Sequence, residues 1–399
     1  MTSNGGPVLI AGAGIAGLSA ALLLGQKGIR SEILERETDR TDAGAGIQLG
    51  PNAVRILQAM GAAEKLSPLA VTPDQLIVHD GETGAILARM PFGPAIAERH
   101  GAPYWTVHRA DLHSALVETM TAQPLITLTT GFAVAAIAQD ATSVRLTSSA
   151  GAERQGPYAL GADGRFSSTR KLLFGGGELP SSGYVAYRSV VPASDMPAAF
   201  RSNAVHLWLA PNLHVVHYPV RAQREHALVV VSKESAPHDG WNIEAGAAHV
   251  QSLAERLYDD VSGVVAAAQS WRKWALSDPD PLPSWVSGRV ALLGDAAHPI
   301  LPFLAQGGAL ALEDAEILAC ELARNAAADG APDFARYERQ RQDRGRRVQR
   351  VARRNGRTYH LSGFPAKARN LVLRAMPSER LLASYDWLYG WRSGDEAST

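Results

Sequence analysis

The residues with the clearest chemical capacity stand near the start of the chain. Gly12-Ala-Gly14-Ile-Ala16-Gly17 follows the apolar run Pro7–Ala11 and opens a helical segment, Leu18–Gln26. In such a strand-turn-helix the first glycine permits a tight turn, the second lets pyrophosphate approach the backbone, and the third lets helix and strand touch. Phosphate charge would then rest on the unsatisfied N–H groups at the helix N-terminus. A second β-type run, Ser31-Glu-Ile-Leu-Glu35, ends in a carboxylate 18 residues after Gly17, a spacing suited to accepting from a ribose hydroxyl. These residues indicate one dinucleotide site, for NAD or FAD, and no second copy of the fingerprint follows a later strand.

A second chemically able group lies mid-chain. Along Leu213–Val220, period-two alternation puts His214, Val216 and Tyr218 on one face and Leu213, Val215 and His217 on the other. His214 and Tyr218 combine a base near neutral pH with a phenolic donor, each on a rigid strand. The same pair also reads as polar neighbours on a solvated sheet face. Further β-type runs, Tyr184–Val191, Ala204–Leu209 and His226–Ser232, are separated by polar turns, which indicates an antiparallel sheet able to roof a pocket.

Other elements must bring these groups together. Two apolar strands end in aspartate, at Asp163-Gly164 and at Gly294-Asp295. An Asp-Gly pair alone is more often just a turn. After Gly307-Gly308 comes a periodic helix, Ala309–Ala323, whose N-terminus would carry about half a positive charge. The chain's 399 residues suggest two or three domains. Its 39 Lys and Arg balance 39 Asp and Glu, so no global charge points to nucleic acid or an anionic membrane. The lone Cys320 excludes an intrachain disulfide and a cysteine metal cluster, which suits a reducing cytoplasm. The apolar stretch Val8–Leu24 reads as a buried strand and helix rather than an anchor, because glycines interrupt it and no Lys or Arg precedes it. Between Arg336 and Arg357 there are ten arginines against Glu338 and Asp343, read as a solvated helix pairing with acids elsewhere.

Jointly, the N-terminal fingerprint, Asp163-Gly164-Arg-Phe-Ser-Ser-Thr-Arg170 and Gly294-Asp295-Ala-Ala-His298-Pro299 resemble the three motifs of the single-component flavoprotein aromatic hydroxylases. The nearest branch is that of salicylate, 3-hydroxybenzoate and 6-hydroxynicotinate hydroxylases. Val107-His-Arg109-Ala-Asp-Leu112, the stretch Pro302–Asp314 and Tyr385-Asp-Trp387-Leu-Tyr389 extend the likeness from about residue 7 to residue 391. The resemblance implies an α/β fold with a Rossmann-like FAD-binding domain in two parts, 1–180 and 281–330. An inserted β-sheet substrate domain, 181–280, and a C-terminal helical region, 331–399, complete it.

FAD would be held by Gly12, Gly14, Ala16, Gly17, Glu35, Arg36, Gln48, Arg109, Asp163, Asp295, Gly307 and Gly308. NADH or NADPH and O2 are the implied co-substrates, and no metal is expected. His214, Tyr218 and Gln306 form the implied catalytic group, with His214 accepting or relaying the proton of a ring hydroxyl. The implied reaction hydroxylates a small aromatic hydroxycarboxylate through a flavin C4a-hydroperoxide. The departure at Gln48, where some pyridine-hydroxylating relatives carry a basic side chain, weighs against a pyridine substrate. A flavin oxidase or dehydrogenase on the same scaffold, or a non-catalytic flavin-binding regulator, are the alternatives. The expected partner is a small aromatic molecule, not nucleic acid or membrane, and the expected assembly a monomer or homodimer.

Overall fold

Val8–Ala11 is buried along its whole length, as an all-apolar strand must be when helices cover both faces of its sheet. The computed structural model describes residues 6–38, 45–175, 177–234, 241–326 and 332–394. Six strands form the nucleotide sheet in the order Val286–Ser287, Val290–Leu292, Ala159–Gly161, Val8–Ala11, Ser31–Leu34, Ile126–Thr129. All pair in parallel except the edge strand Val286–Ser287. The strands that precede Gly12 and Asp163 are adjacent, and the one before Asp295 lies beside the second of them, so the three motifs gather at one edge of the sheet. That is where an open α/β sheet binds ligands. The fold is the expected α/β class with a Rossmann-like nucleotide domain.

A second, eight-stranded sheet stands over this edge, in the order Trp241–Ala245, Trp271–Ser277, Ser181–Pro192, Glu225–Lys233, Leu213–Val220, Ala204–Ala210, Gln75–Asp80, Ile86–Pro91. The antiparallel runs read from the sequence are its centre. The boundaries 181–280 nevertheless omit part of it, because the hairpin Gln75–Pro91 joins it, pairing in parallel with Ala204–Ala210. Nothing local in residues 75–91 announces that distant partner. The outer face packs Val185, Tyr187, Val215 and Val230 against the helices Ala247–Ala254 and Asp259–Ala266. The inner face, with Ala186, Val216, Tyr218 and Val231, looks into the interior.

The helix Gly307–Ala326 starts at the paired glycines and packs on the fingerprint helix Ile15–Gln26. The arginine-rich segment is one helix, Phe334–Tyr359. Its arginines pair with acids elsewhere, as expected, but not all are solvated: Arg341 and Arg344 are buried, and both reach Glu313, while Arg341 also reaches Asp314. Those acids lie on the neighbouring helix Gly307–Ala326, 27 to 31 residues earlier in the chain. Others do pair at the surface, as Arg353 does with Asp278. No helix among the described residues is long and apolar enough to cross a membrane.

Candidate active site

Gly12 and Gly17 sit where the chain has no room for a side chain, as the tight turn and the helix–strand contact require. Gly12 has φ +102°, and a Cβ there would lie 2.7 Å from the Ala162 carbonyl oxygen. A Cβ on Gly17 would lie 1.9 Å from the Gly12 carbonyl oxygen, so helix and turn touch only through glycine. At Gly14 a Cβ would meet nothing within 4 Å, which leaves open backbone at the helix start, suited to pyrophosphate. Glu35 closes the turn, accepting from the N–H of Ala13 at 2.6 Å and of Glu37 at 3.1 Å. Arg36 is exposed and pairs with Glu37.

Gly14, Ala16, Gln48, Arg109, Asp295, Gly307 and Gly308 all line one cleft of about 470 Å³, together with His214, Tyr218 and Gln306. Gly12, Gly17, Glu35, Arg36 and Asp163 do not line it. Asp163 departs furthest from its expected role. Its carboxylate accepts from the Ser167 hydroxyl and from the Thr169 N–H and hydroxyl, so it caps its own loop. That loop is fastened to the Asp295 turn, because Arg170 donates to the carbonyls of Asp295 and Ala296.

The Asp295 carboxylate opens onto the cleft from a densely packed wall. Burial pushes its pKa up, while His298, Arg165, Arg109 and Arg170 pull it back. The turn that carries it is held from behind: Asp314 accepts from the Gly294 N–H at 2.9 Å, pairs with His298 at 2.5 Å and binds Arg341 at 2.7 Å. Cations and hydrogen bonds keep Asp314 low, at about 2, against the opposing effect of its burial. The start of the 307–326 helix comes close by, since a Cβ on Gly307 would lie 4.0 Å from Asp295 Oδ1. Open backbone at Gly14, a carboxylate at Asp295 and two helix N-termini on one cleft fit a flavin dinucleotide: anion-binding amides beside a ribityl hydroxyl acceptor.

Across the cleft, His214 and Tyr218 share the inward face of Leu213–Val220, as alternation required, and His217 points into the opposite layer against Phe200 and Trp208. His214 is not a base near neutral pH. Burial, and then the nearby His360, hold its pKa well below 6.5. Its Nδ1 lies 2.8 Å from His360 Nε2, so one proton is shared between the rings and Nε2 is left to the cleft. Sequence could place the side chain but not its desolvation.

Tyr218 is oriented by a relay. The Tyr104 hydroxyl donates to Gln48 Oε1 at 2.7 Å, and the Gln48 amide bonds the Tyr218 hydroxyl. Burial raises the Tyr218 pKa to about 12 against the opposing pull of Arg188 and Gln48, so it stays a donor. Gln306 is set similarly. Asn52 Nδ2 donates to Glu313 at 2.7 Å and to Gln306 Oε1 at 3.0 Å, which turns the Gln306 amide nitrogen away from Asn52. The walls between are apolar, from Val216, Val229, Val231, Trp274 and Leu276.

Several cleft residues escaped the sequence reading. Arg188, Arg165 and Trp274 line it, and so do Trp241 and Asn242 at its edge. The one available signal was Arg188 itself, a charge interrupting the apolar run Tyr184–Val191 on the parity of Tyr184 and Ala186.

Over residues 6–352 the sequence matches a family described as FAD binding domain. It is 36% identical over 389 residues to a 3-hydroxybenzoate 6-hydroxylase of Polaromonas naphthalenivorans, covering 98% of this chain and 97% of the relative. Among solved structures it resembles Klebsiella pneumoniae HpxO complexed with FAD and uric acid, with a TM-score of 0.83, 25% identity and 95% of each chain covered. It also resembles a salicylate hydroxylase substrate complex, with a TM-score of 0.82, 26% identity, and coverage of 98% of this chain and 97% of that one.

Proposed function

Because the chain belongs to the FAD-binding, single-component aromatic hydroxylases, we propose that its cleft receives a small aromatic hydroxycarboxylate and hydroxylates the ring beside a hydroxyl held by His214 and Tyr218. The protein is an FAD-dependent monooxygenase using NAD(P)H and dioxygen. The observation that supports the siting is one continuous cleft with the open glycine backbone and Asp295 at one end and the His214–Tyr218 face at the other. When bound, FAD supplies acceptance of hydride from the nicotinamide and activation of dioxygen for transfer of one oxygen atom.

The chain's own residues do the rest. Gly14 and the N-terminus of Ile15–Gln26 would bind the pyrophosphate, Asp295 the ribityl hydroxyls, and Arg109 would reach the phosphates or ribityl chain by charge-assisted hydrogen bonds. The positive end of the 307–326 helix favours negative charge placed beside Gly307. His214 Nε2 accepts the hydrogen bond of the substrate's ring hydroxyl while its Nδ1–H donates to His360 Nε2, and the accepted hydrogen bond raises electron density on the ring. Tyr218 and the Gln306 amide donate to substrate oxygens. Val216, Val229, Val231 and Trp274 exclude water, which protects a reactive oxygen species from wasteful collapse.

The test is NAD(P)H consumption stimulated by hydroxybenzoates, salicylate or hydroxynicotinates under isotopically labelled dioxygen. One labelled oxygen atom in the product is expected. Turnover that leaves no label in the product would sink the reading in favour of an oxidase. His214→Ala should lower product formed per NAD(P)H oxidised and raise hydrogen peroxide release, and unchanged coupling at every pH would remove His214 from the reaction.

A further inference from the structure

We infer that Arg188 is the receptor for the substrate's carboxylate, an inference that rests on the aromatic-acid hydroxylase reading and specifies how the acid lies in the cleft. Three arginines line the cleft: Arg109, Arg165 and Arg188. Arg109 stands at the nucleotide end, first in the helix Arg109–Thr121, and Arg165 donates to the Ala275 carbonyl and the Ser277 hydroxyl. The Arg188 side chain alone of the three makes no hydrogen bond or ion pair among the described residues. Its Nε is buried and without a partner.

The surroundings make that isolation costly for a cation. The guanidinium stands over the Trp274 ring at 5.1 Å, a contact that orients positive charge without neutralising it. Its strand partners are Val229 and Arg272, one apolar and one a second cation. The groups with electrostatic effect on it are Tyr218 and Arg109, neither of them a carboxylate, and burial lowers its pKa. A half-buried charge of this kind, with its Nε shut from solvent, is steadied when a ligand supplies the opposite charge, and the planar fork of arginine matches a carboxylate with two parallel hydrogen bonds.

The register of the sheet sets the fit. Arg188 on Ser181–Pro192 is level with Val229 on Glu225–Lys233, which is level with Val216 on Leu213–Val220, the residue between His214 and Tyr218. Arg188 and the His214–Tyr218 pair are thus two strand spacings apart, roughly 10 Å at the backbone. The strand between them contributes only Val229 and Val231 to the cleft, a flat apolar floor for one ring. A hydroxybenzoate lying on it presents its carboxylate to Arg188 and its hydroxyl to His214 and Tyr218. A smaller cavity of about 300 Å³ also touches Arg188, lined by Arg272 and by Arg221 and Glu225, which pair with each other. Arg272 there is bonded to the neutral Asn242, so a second cation backs the first.

The experiment measures dissociation constants on the FAD-loaded enzyme by calorimetry. It compares 3-hydroxybenzoate with 3-hydroxybenzamide, and salicylate with salicylamide, for wild type, Arg188→Gln and Arg188→Lys. Wild type should prefer each acid over its amide. Arg188→Gln should weaken acid binding by roughly 30-fold or more and change amide binding little, since it leaves the carboxylate without its charged partner. Arg188→Lys, which keeps the charge but not the fork, should fall between, and it carries the test if the glutamine variant does not fold. A variant that retains the full preference for acids overturns the inference while the wild type still hydroxylates them. A wild type that binds and hydroxylates none of these acids overturns the functional reading and the inference together.

Discussion

At Gly46 the strand that carries Gln48 presses directly on the substrate sheet. A Cβ there would stand 2.3 Å from the Ala227 methyl and 2.7 Å from both the Tyr218 ring and its hydroxyl. Gly46→Ala is therefore expected to cost about 1–3 kcal/mol of stability through overpacking. It should also lower turnover by displacing Tyr218, and denaturant melts beside steady-state rates will show whether both fall. Tyr218→Phe removes the hydroxyl without the bulk; kcat/KM for an aromatic acid should fall roughly 10-fold to 100-fold, the worth of a hydrogen bond to a charged partner, with little change in Tm. Equal kcat/KM would separate Tyr218 from the substrate. Residue identities of this kind were legible where spacing is local: the fingerprint glycines and the His214–Tyr218 face follow from periods of a few residues. The state of His214 was not, because its lowered pKa comes from burial and from His360, distant in sequence.

Between the two long helices lies an ionic core. Arg341 joins Glu313 and Asp314, each at 2.7 Å, and Arg344 joins Glu313 at 2.6 Å, with these four side chains buried. The same acids position the site, since Asp314 holds the Gly294 turn before Asp295 and Glu313 sets Gln306 through Asn52. Arg341→Met takes a buried cationic partner from both carboxylates, leaving Glu313 to Arg344 and Asp314 to His298, and about 3–5 kcal/mol of unfolding free energy should be lost. FAD should bind more weakly as well; urea unfolding and flavin titration would each register it, and a full FAD affinity would uncouple the ionic core from the Asp295 turn. Composition counted these arginines and still missed their burial, because a helix's own sequence does not say which neighbour supplies the acids. Arg188 escaped for a related reason: a charge in an apolar strand has meaning only once the facing cavity is known.

On the side of the substrate sheet away from the cleft, four imidazoles line up across neighbouring strands. His79 Nε2 lies 3.0 Å from His206 Nδ1, the His206 and His217 rings are stacked at 4.5 Å, and His226 follows. Burial is the main cause that lowers all four: His79 and His226 to about 4, His206 to about 3, and His217 well below 6.5. In the unfolded chain each titrates near 6.5. Above that value both states are neutral and the fold keeps its full stability. As pH falls, the unfolded chain takes up protons first, so stability declines below about 6.5 and continues to fall toward about 4, by up to about 1.4 kcal/mol per pH unit for each histidine. Unfolding free energies measured down this range should show the decline, and His217→Phe should make it shallower. A flat profile would mean the stack charges without penalty.

The sheet above the cleft takes its edge from Gln75–Pro91 and its centre from residues beyond 180, with Ala204 level with Gln75 in a parallel pairing. A fragment spanning 181–280 should consequently lack a stable fold, which far-ultraviolet circular dichroism would reveal. Biosynthesis inherits the same constraint: the early hairpin leaves the ribosome as an orphaned edge and must wait for its mate, a delay in which chaperone capture or mispairing competes with closure. The time at which this enzyme becomes able to enclose a substrate comes later still, because the cleft also needs Trp274, Asp295, Gln306, Gly307 and Gly308, translated long after the glycine turn.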